Sequence, residues 1–102
     1  MDLVVEVDEI EGRCPIYSKG DKFLIRDGYW VDTSQSSPIC LHALSAMLTF
    51  ISSLSRGISP SEMGLSKGGF PAYVQCPDPG EPFTSGGTVR FKIERASEDT
   101  GQ

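Results

Sequence analysis

Polar and apolar residues alternate near both ends of the chain. Leu3, Val5 and Val7 alternate with Val4, Glu6 and Asp8, and Val89, Phe91 and Ile93 alternate with Arg90, Lys92 and Glu94. A period of two puts one set on each face of a half-buried strand. Phe23 and Ile25 alternate with Lys22, Leu24 and Arg26 in a second strand. Asp27-Gly28, a hairpin-type turn pair, joins it to a short third strand at Tyr29-Trp30-Val31. Residues 71–75 predict a further short strand. Between these segments the period changes: Cys40, Leu44, Met47, Ile51 and Leu54 recur at helical spacing. Ser37 before Pro38 predicts the start of that helix, with Ser37 as N-cap and Pro38 in the first helical position. Gly57 is a fitting stop, and Ser59-Pro60 predicts a short helical turn near residues 62–65. The order predicts an α+β fold: an antiparallel sheet of four or five strands, with one main helix and a short second helix packed on one face. Leu44, Met47 and Ile51 are expected to cover Val5, Phe23, Phe91 and Ile93. If the first and last strands are neighbours, Glu6 and Asp8 meet Arg90 and Lys92, at about 0.2–1 kcal/mol per pair.

The chain has 102 residues, which suits one domain, expected over residues 1–95 with a fraying acidic tail at 96–102. Hydrophobic residues make up 38% and charged residues 23%, a globular balance. Nine basic against fourteen acidic residues give a net charge of −5. That balance argues against a nucleic-acid binder and against docking on anionic lipid. The longest apolar-rich stretch, residues 38–54, is broken by His42, Ser45, Thr49, Ser52 and Ser53, too short and polar for a membrane span. The first residues lack the basic and apolar regions of a signal peptide. Three cysteines are too few, and odd in number, for a secreted disulfide scaffold, so a reduced, cytoplasmic chain is expected.

The cysteines carry the candidate chemistry. Cys14, Cys40 and Cys76 lie 26 and 36 residues apart, with no CxxC pair of the zinc-knuckle kind. Cys14 and Cys76 each precede a proline, which holds a residue in extended geometry. Under the predicted cap, Cys40 is the third residue of the helix, where backbone N–H groups and the macrodipole favour a thiolate by about 0.3–1 kcal/mol. His42, two residues on, is turned about 200° from Cys40 on a regular helix. The expectation is that Cys14, Cys40 and Cys76 meet at one end of the sheet and ligate zinc or an iron–sulfur cluster. A thiol redox or sulfur-handling protein attacking through Cys40 is the first alternative. The second is an interaction module with structural cysteines, docking a partner through Tyr29, Trp30 and Phe83. Neither a Ser–His–Asp set, a paired-carboxylate motif nor a dinucleotide fingerprint is present, and Lys67-Gly68-Gly69 is no phosphate loop.

The ordered set Gly12-Arg13-Cys14-Pro15, Gly20-Asp21-Lys22-Phe23, Pro38-Ile39-Cys40, Cys76-Pro77-Asp78 and Val89-Arg90-Phe91-Lys92-Ile93-Glu94-Arg95 spans nearly the whole chain. It resembles an uncharacterised family of small, three-cysteine proteins found mainly in anaerobic archaea and bacteria. The resemblance implies a cytoplasmic location, an anaerobic host and a recurrent three-cysteine pattern, matched by Cys14, Cys40 and Cys76. Many relatives are associated with a histidine shortly after the first cysteine, where this chain has Ile16-Tyr17-Ser18. Together these readings point to a small accessory protein with a three-cysteine metal or iron–sulfur site, acting with a protein partner or a second copy of itself.

Overall fold

A computed structural model describes residues 1–96. Five strands, β1 (Leu3–Gly12), β2 (Lys22–Arg26), β3 (Trp30–Asp32), β4 (Ala72–Gln75) and β5 (Gly87–Arg95), form one antiparallel sheet in the order β3-β2-β1-β5-β4. One helix, α1 (Leu41–Ser55), supplies the other layer, so the fold is α+β as expected. The first and last strands are neighbours at the centre. Glu6 stands opposite Lys92, and Asp8 pairs with the Arg90 Nε at 2.8 Å.

A β-bulge decides how far the core extends along β1. Val5 opposes Ile93 and Val7 opposes Phe91, but the register then shifts, with Glu9 opposite Arg90 and Ile10 opposite Val89. Strict alternation would put Ile10 on the outer face with Glu6 and Asp8. The extra residue, Asp8, changes the parity, so Ile10 joins the inner row and packs against the core. The alternation read from sequence stops at Val7 and misses this device. The same inner face carries Ala72 and Val74 of β4, and Cys76 continues their alternation one step past the strand.

Helix α1 lays Ala43, Met47, Ile51 and Leu54 into the core formed with Val5, Phe23, Phe91 and Ile93; Leu44 is only half-buried. Its start differs from expectation. The N-cap is Cys40, in extended geometry, not Ser37. Ser36 and Ser37 are committed elsewhere. The Ser37 N–H donates to the Lys22 carbonyl at 2.8 Å, and the Ser36 Oγ accepts the Leu24 N–H at 3.0 Å. These bonds keep the chain extended along β2 until it has passed Pro38. The end matches expectation: Gly57, at φ +92°, donates to Leu54 and Ile58 donates to Ser53, the paired bonds of a Schellman stop. The second helical piece is a single 3-10 turn, Pro60–Met63. A further 3-10 turn, Thr33–Gln35, is capped by Asp32 where the sequence suggests only polar loop.

The helix runs from one end of the sheet to the other. Its last turn meets the start of β1, where the N-terminal ammonium donates to the Ser55 carbonyl at 2.7 Å. Its first turn meets the far end, where β1 stops at Gly12 and β5 begins at Gly87. No helix among the described residues is long and apolar enough to cross a membrane. Ala96, placed in the tail by sequence, still donates its N–H to Asp2 at 2.9 Å; residues 97–102 of that tail lie outside the described residues.

Candidate thiol-lined site

Each cysteine is placed by a different element. Cys14 follows the end of β1, where Gly12 and Gly87 pass so closely that a Cβ on Gly87 would lie 2.3 Å from the Glu11 carbonyl oxygen. The chain then turns so that the Tyr17 N–H points at the Cys14 Sγ, 3.3 Å away. Cys76 ends β4. Its N–H continues the ladder to the Val89 carbonyl at 3.0 Å, but Pro77 takes the chain away from the sheet, and the Val89 N–H donates to the Cys76 Sγ at 3.2 Å. The thiol also donates a longer contact to the Gly87 carbonyl at 3.7 Å. Cys40 caps α1 with its backbone alone. Its carbonyl accepts the Leu44 N–H at 3.0 Å, and its side chain makes no cap bond.

Tyr17 ties two of these segments together. Its ring stands edge-on against Phe91, with centroids 5.5 Å apart, and its hydroxyl oxygen accepts the Cys40 N–H at 2.9 Å. Burial pushes the Tyr17 phenol above its ordinary range, against the opposing effect of the Cys40 N–H, and negative charge on Cys40 or Cys14 would push it further. It is therefore a neutral phenol at physiological pH.

The result is a cavity of about 600 Å³ whose walls include Cys14, Tyr17, Cys40, His42, Cys76 and Asp78. All three cysteines that the sequence singles out border this one space. All three are free; Cys76 is buried, and Cys14 and Cys40 are half-buried. His42 shares the cavity because Cys40 lies outside the regular helix, so the 200° separation expected between them does not apply.

Asp78 closes one side. Its carboxylate accepts the Thr84 hydroxyl and, at 2.9 Å, the Gly80 N–H. These donors hold it below the usual carboxylate range, with smaller support from the Gly87 N–H and the charge of His42. A Cβ on Gly86 would sit 2.1 Å from its Oδ2, so the turn of loop 77–86 depends on glycine there.

The convergence stops short of a ready ligand set. Among the described residues, no group of three or more His, Cys, Asp or Glu side chains could hold a metal ion as it stands. Two participants escape a sequence reading. Tyr17 is the one aromatic in the loop between β1 and β2, a pattern that signals an inward anchor; Asp78, two residues after Cys76, has no such signal. No protein-family model, curated protein or solved structure matches the chain.

Proposed function

We propose that the cavity is a three-thiolate site for a soft metal centre, and that the chain is a small accessory protein carrying an iron–sulfur cluster on Cys14, Cys40 and Cys76. One observation carries the reading: three cysteines far apart in sequence border one cavity of about 600 Å³. The backbone around them suits anionic sulfur. Cys14 and Cys76 each accept an N–H, and Cys40 sits at the N-terminus of a 15-residue helix. Ligation by Cys76 gives up only its long S–H contact to Gly87 and keeps the Val89 N–H, which is stronger to a thiolate than to a thiol. A cluster fits better than a single zinc ion. Zinc needs every sulfur about 2.3 Å from one point, and the side chains do not converge in that way; a polynuclear centre spreads its ligands over a larger space.

A second reading has its own observation. Tyr17 holds Cys14 and Cys40 on either side of one residue, through its N–H and its hydroxyl, without Cys76. That arrangement suits a thiol redox pair formed by Cys14 and Cys40. Anaerobic reconstitution with ferrous iron and sulfide separates the two. The cluster reading expects bound iron and acid-labile sulfide in constant ratio, with visible absorbance bleached by dithionite and lost in Cys14→Ala and Cys40→Ala. Folded wild-type protein that retains neither iron nor sulfide overturns it. A Cys14–Cys40 disulfide on mild oxidation would then favour the redox pair.

A further inference from the structure

Helix α1 covers the sheet with one face, and the face it turns away is unlike the rest of the surface. From Thr33 to Ser55 the chain has no Asp, Glu, Lys or Arg, although charged residues make up 23% of the whole. A helix with one face in water ordinarily carries charged side chains there. On α1 the outward positions include Leu41, Ser45, Leu48 and Ser52, all exposed, with Leu41 77% and Leu48 57% accessible. The outer face of the sheet is the contrast: Glu6 opposes Lys92 and Asp8 pairs with Arg90, so charge is matched within the chain.

We propose that this helix face is the contact between two copies of the chain, paired antiparallel about a two-fold axis. The proposal does not rest on what the cavity binds. Spacing and charge both name a second copy as the occupant. Steps of four, three and four residues put Leu41, Ser45, Leu48 and Ser52 on one narrow seam, of the kind along which two helices pack. A two-fold axis through the middle of the helix sets Leu41 of one copy against Ser52 of the other, and Ser45 against Leu48. Every layer then pairs a large side chain with a small one, the self-complementarity that an isologous contact requires. Parallel pairing would set Leu on Leu and Ser on Ser. The charge argument is independent. Two chains of net charge −5 repel each other. On an uncharged face they meet with no like charges opposed, whereas an acidic or basic partner finds no counter-charge there. Helix α1 has 15 residues and is about 22 Å long, so a seam along it buries less than a standard interface and the dimer is weak and reversible.

Sedimentation equilibrium of the full chain, up to about 1 mM, tests this. The wild type is expected to dimerise, and more tightly as ionic strength rises from low to physiological, because salt screens the repulsion between two acidic chains. Leu48→Glu and Ser45→Lys should each weaken dimerisation roughly tenfold or more, by setting an unpaired charge in the seam. Both positions are exposed, and Ser45→Lys gives up only the hydroxyl bond to the His42 carbonyl, so both variants should melt like the wild type. Mixed together, they should recover wild-type association. The introduced lysine faces the introduced glutamate in one layer, the other layers stay native, and the pair carries the same total charge as two wild-type chains. A wild type that stays monomeric at every concentration, or a dimer that Leu48→Glu leaves unchanged, overturns the proposal. Variants that fail to associate when mixed overturn the antiparallel seam. The cluster reading is judged separately, by iron and sulfide binding.

Discussion

Where β1 begins, polar groups are turned on one another. Arg26 reaches the Asp32 Oδ2 with two nitrogens, at 2.8 and 3.0 Å, and the Asp2 Oδ2 with a third at 3.0 Å. Asp2 also accepts the Asp27 N–H, and Asp32 takes the N–H and hydroxyl of Ser34. The Asp27-Gly28 turn, with both residues at positive φ, packs on Ser55 at the end of α1. Where β1 stops, hydrogen bonds are also present, but they run around a cavity. N–H groups point at Cys14 and Cys76, a phenol holds the backbone of Cys40, and Asp78 is fixed at the wall. One end uses its polar groups to close the fold. The other uses them to hold nucleophilic and acidic side chains around a cavity, an arrangement that folding alone does not require. That contrast is the reason the proposed function is assigned to the end where β1 stops.

The largest expected effect lies where the two ends share a core. Phe91 is 1% exposed, opposes Val7 and Val74, and supports the Tyr17 ring. Phe91→Ala should cost about 3–5 kcal/mol, a large share of the stability of a domain this size. Urea denaturation measures it. A loss under 1 kcal/mol would mean that the site end is not built on the common core.

A glycine at each end sharpens the contrast. Gly28 has φ +78°, and a Cβ there would lie 2.3 Å from the Ser55 Oγ. Gly28→Ala should therefore destabilise by roughly 1–3 kcal/mol through strain and overpacking. At Gly86 the same substitution strikes the Asp78 carboxylate, not the packing of α1. Gly86→Ala should cost less stability and raise the alkylation rate of Cys14 and Cys40, as Asp78 is pushed from the wall. Equal melting losses in the two variants, with unchanged alkylation, would erase the distinction between the ends.

Acid separates them next. Asp32 is held below its ordinary value of 3.8, first by the Ser34 hydroxyl and then by Arg26; Asp78 is held below 3.8 by Thr84 and Gly80. A carboxylate with a depressed folded pKa stabilises the fold above its unfolded value, and that contribution disappears as pH falls through the folded pKa. Stability should thus fall below about pH 4. Asp32→Asn should lower stability at pH 7 and flatten the acid limb. Asp78→Asn should do the same more weakly, because it anchors a loop and not the junction of β2, β3 and the chain start. Calorimetry from pH 2 to 7 checks both; an unchanged acid limb in Asp32→Asn would show that the Arg26 network does not set it.

The elements of the fold were legible because period two and helical spacing report burial directly. The Schellman stop at Gly57 and the Asp27-Gly28 turn were legible because their positive φ angles favour the residue types found there. The helix start was not. Ser37-Pro38 is a sound local cap, but long-range pairing of Ser36 and Ser37 with β2 outweighs it. The bulge at Asp8 was hidden because it is defined by pairing with β5. At the site, the cysteines could be nominated from their Cys-Pro context and helix-end position. Their shared cavity depends on three strand and helix ends meeting, which spacing does not encode. Tyr17 acts through a bond to the distant Cys40 N–H, and Asp78 through the Thr84 hydroxyl and Gly80 N–H of its own loop; side-chain type alone does not announce those bonds.

The smallest effect tests the most local claim, that Tyr17 positions Cys40. Tyr17→Phe removes only the oxygen that accepts the Cys40 N–H and leaves the ring to pack on Phe91. Lost hydrogen bonds of this kind cost about 0.5–1.5 kcal/mol. The cost here should fall at the low end, because Cys40 is half-buried beside a cavity and its N–H can recover a water partner. The stronger signature is chemical. With its backbone released, the first turn of α1 should fray, and Cys40 should be alkylated faster than in the wild type. Cys76, held by Val89 and Gly87 independently of Tyr17, should keep its rate. Mass spectrometry of peptides after timed iodoacetamide exposure resolves each cysteine. Parallel acceleration of Cys40 and Cys76 would mean that Tyr17 supports the whole sheet end; an unchanged Cys40 rate would mean that the phenol oxygen does not position it.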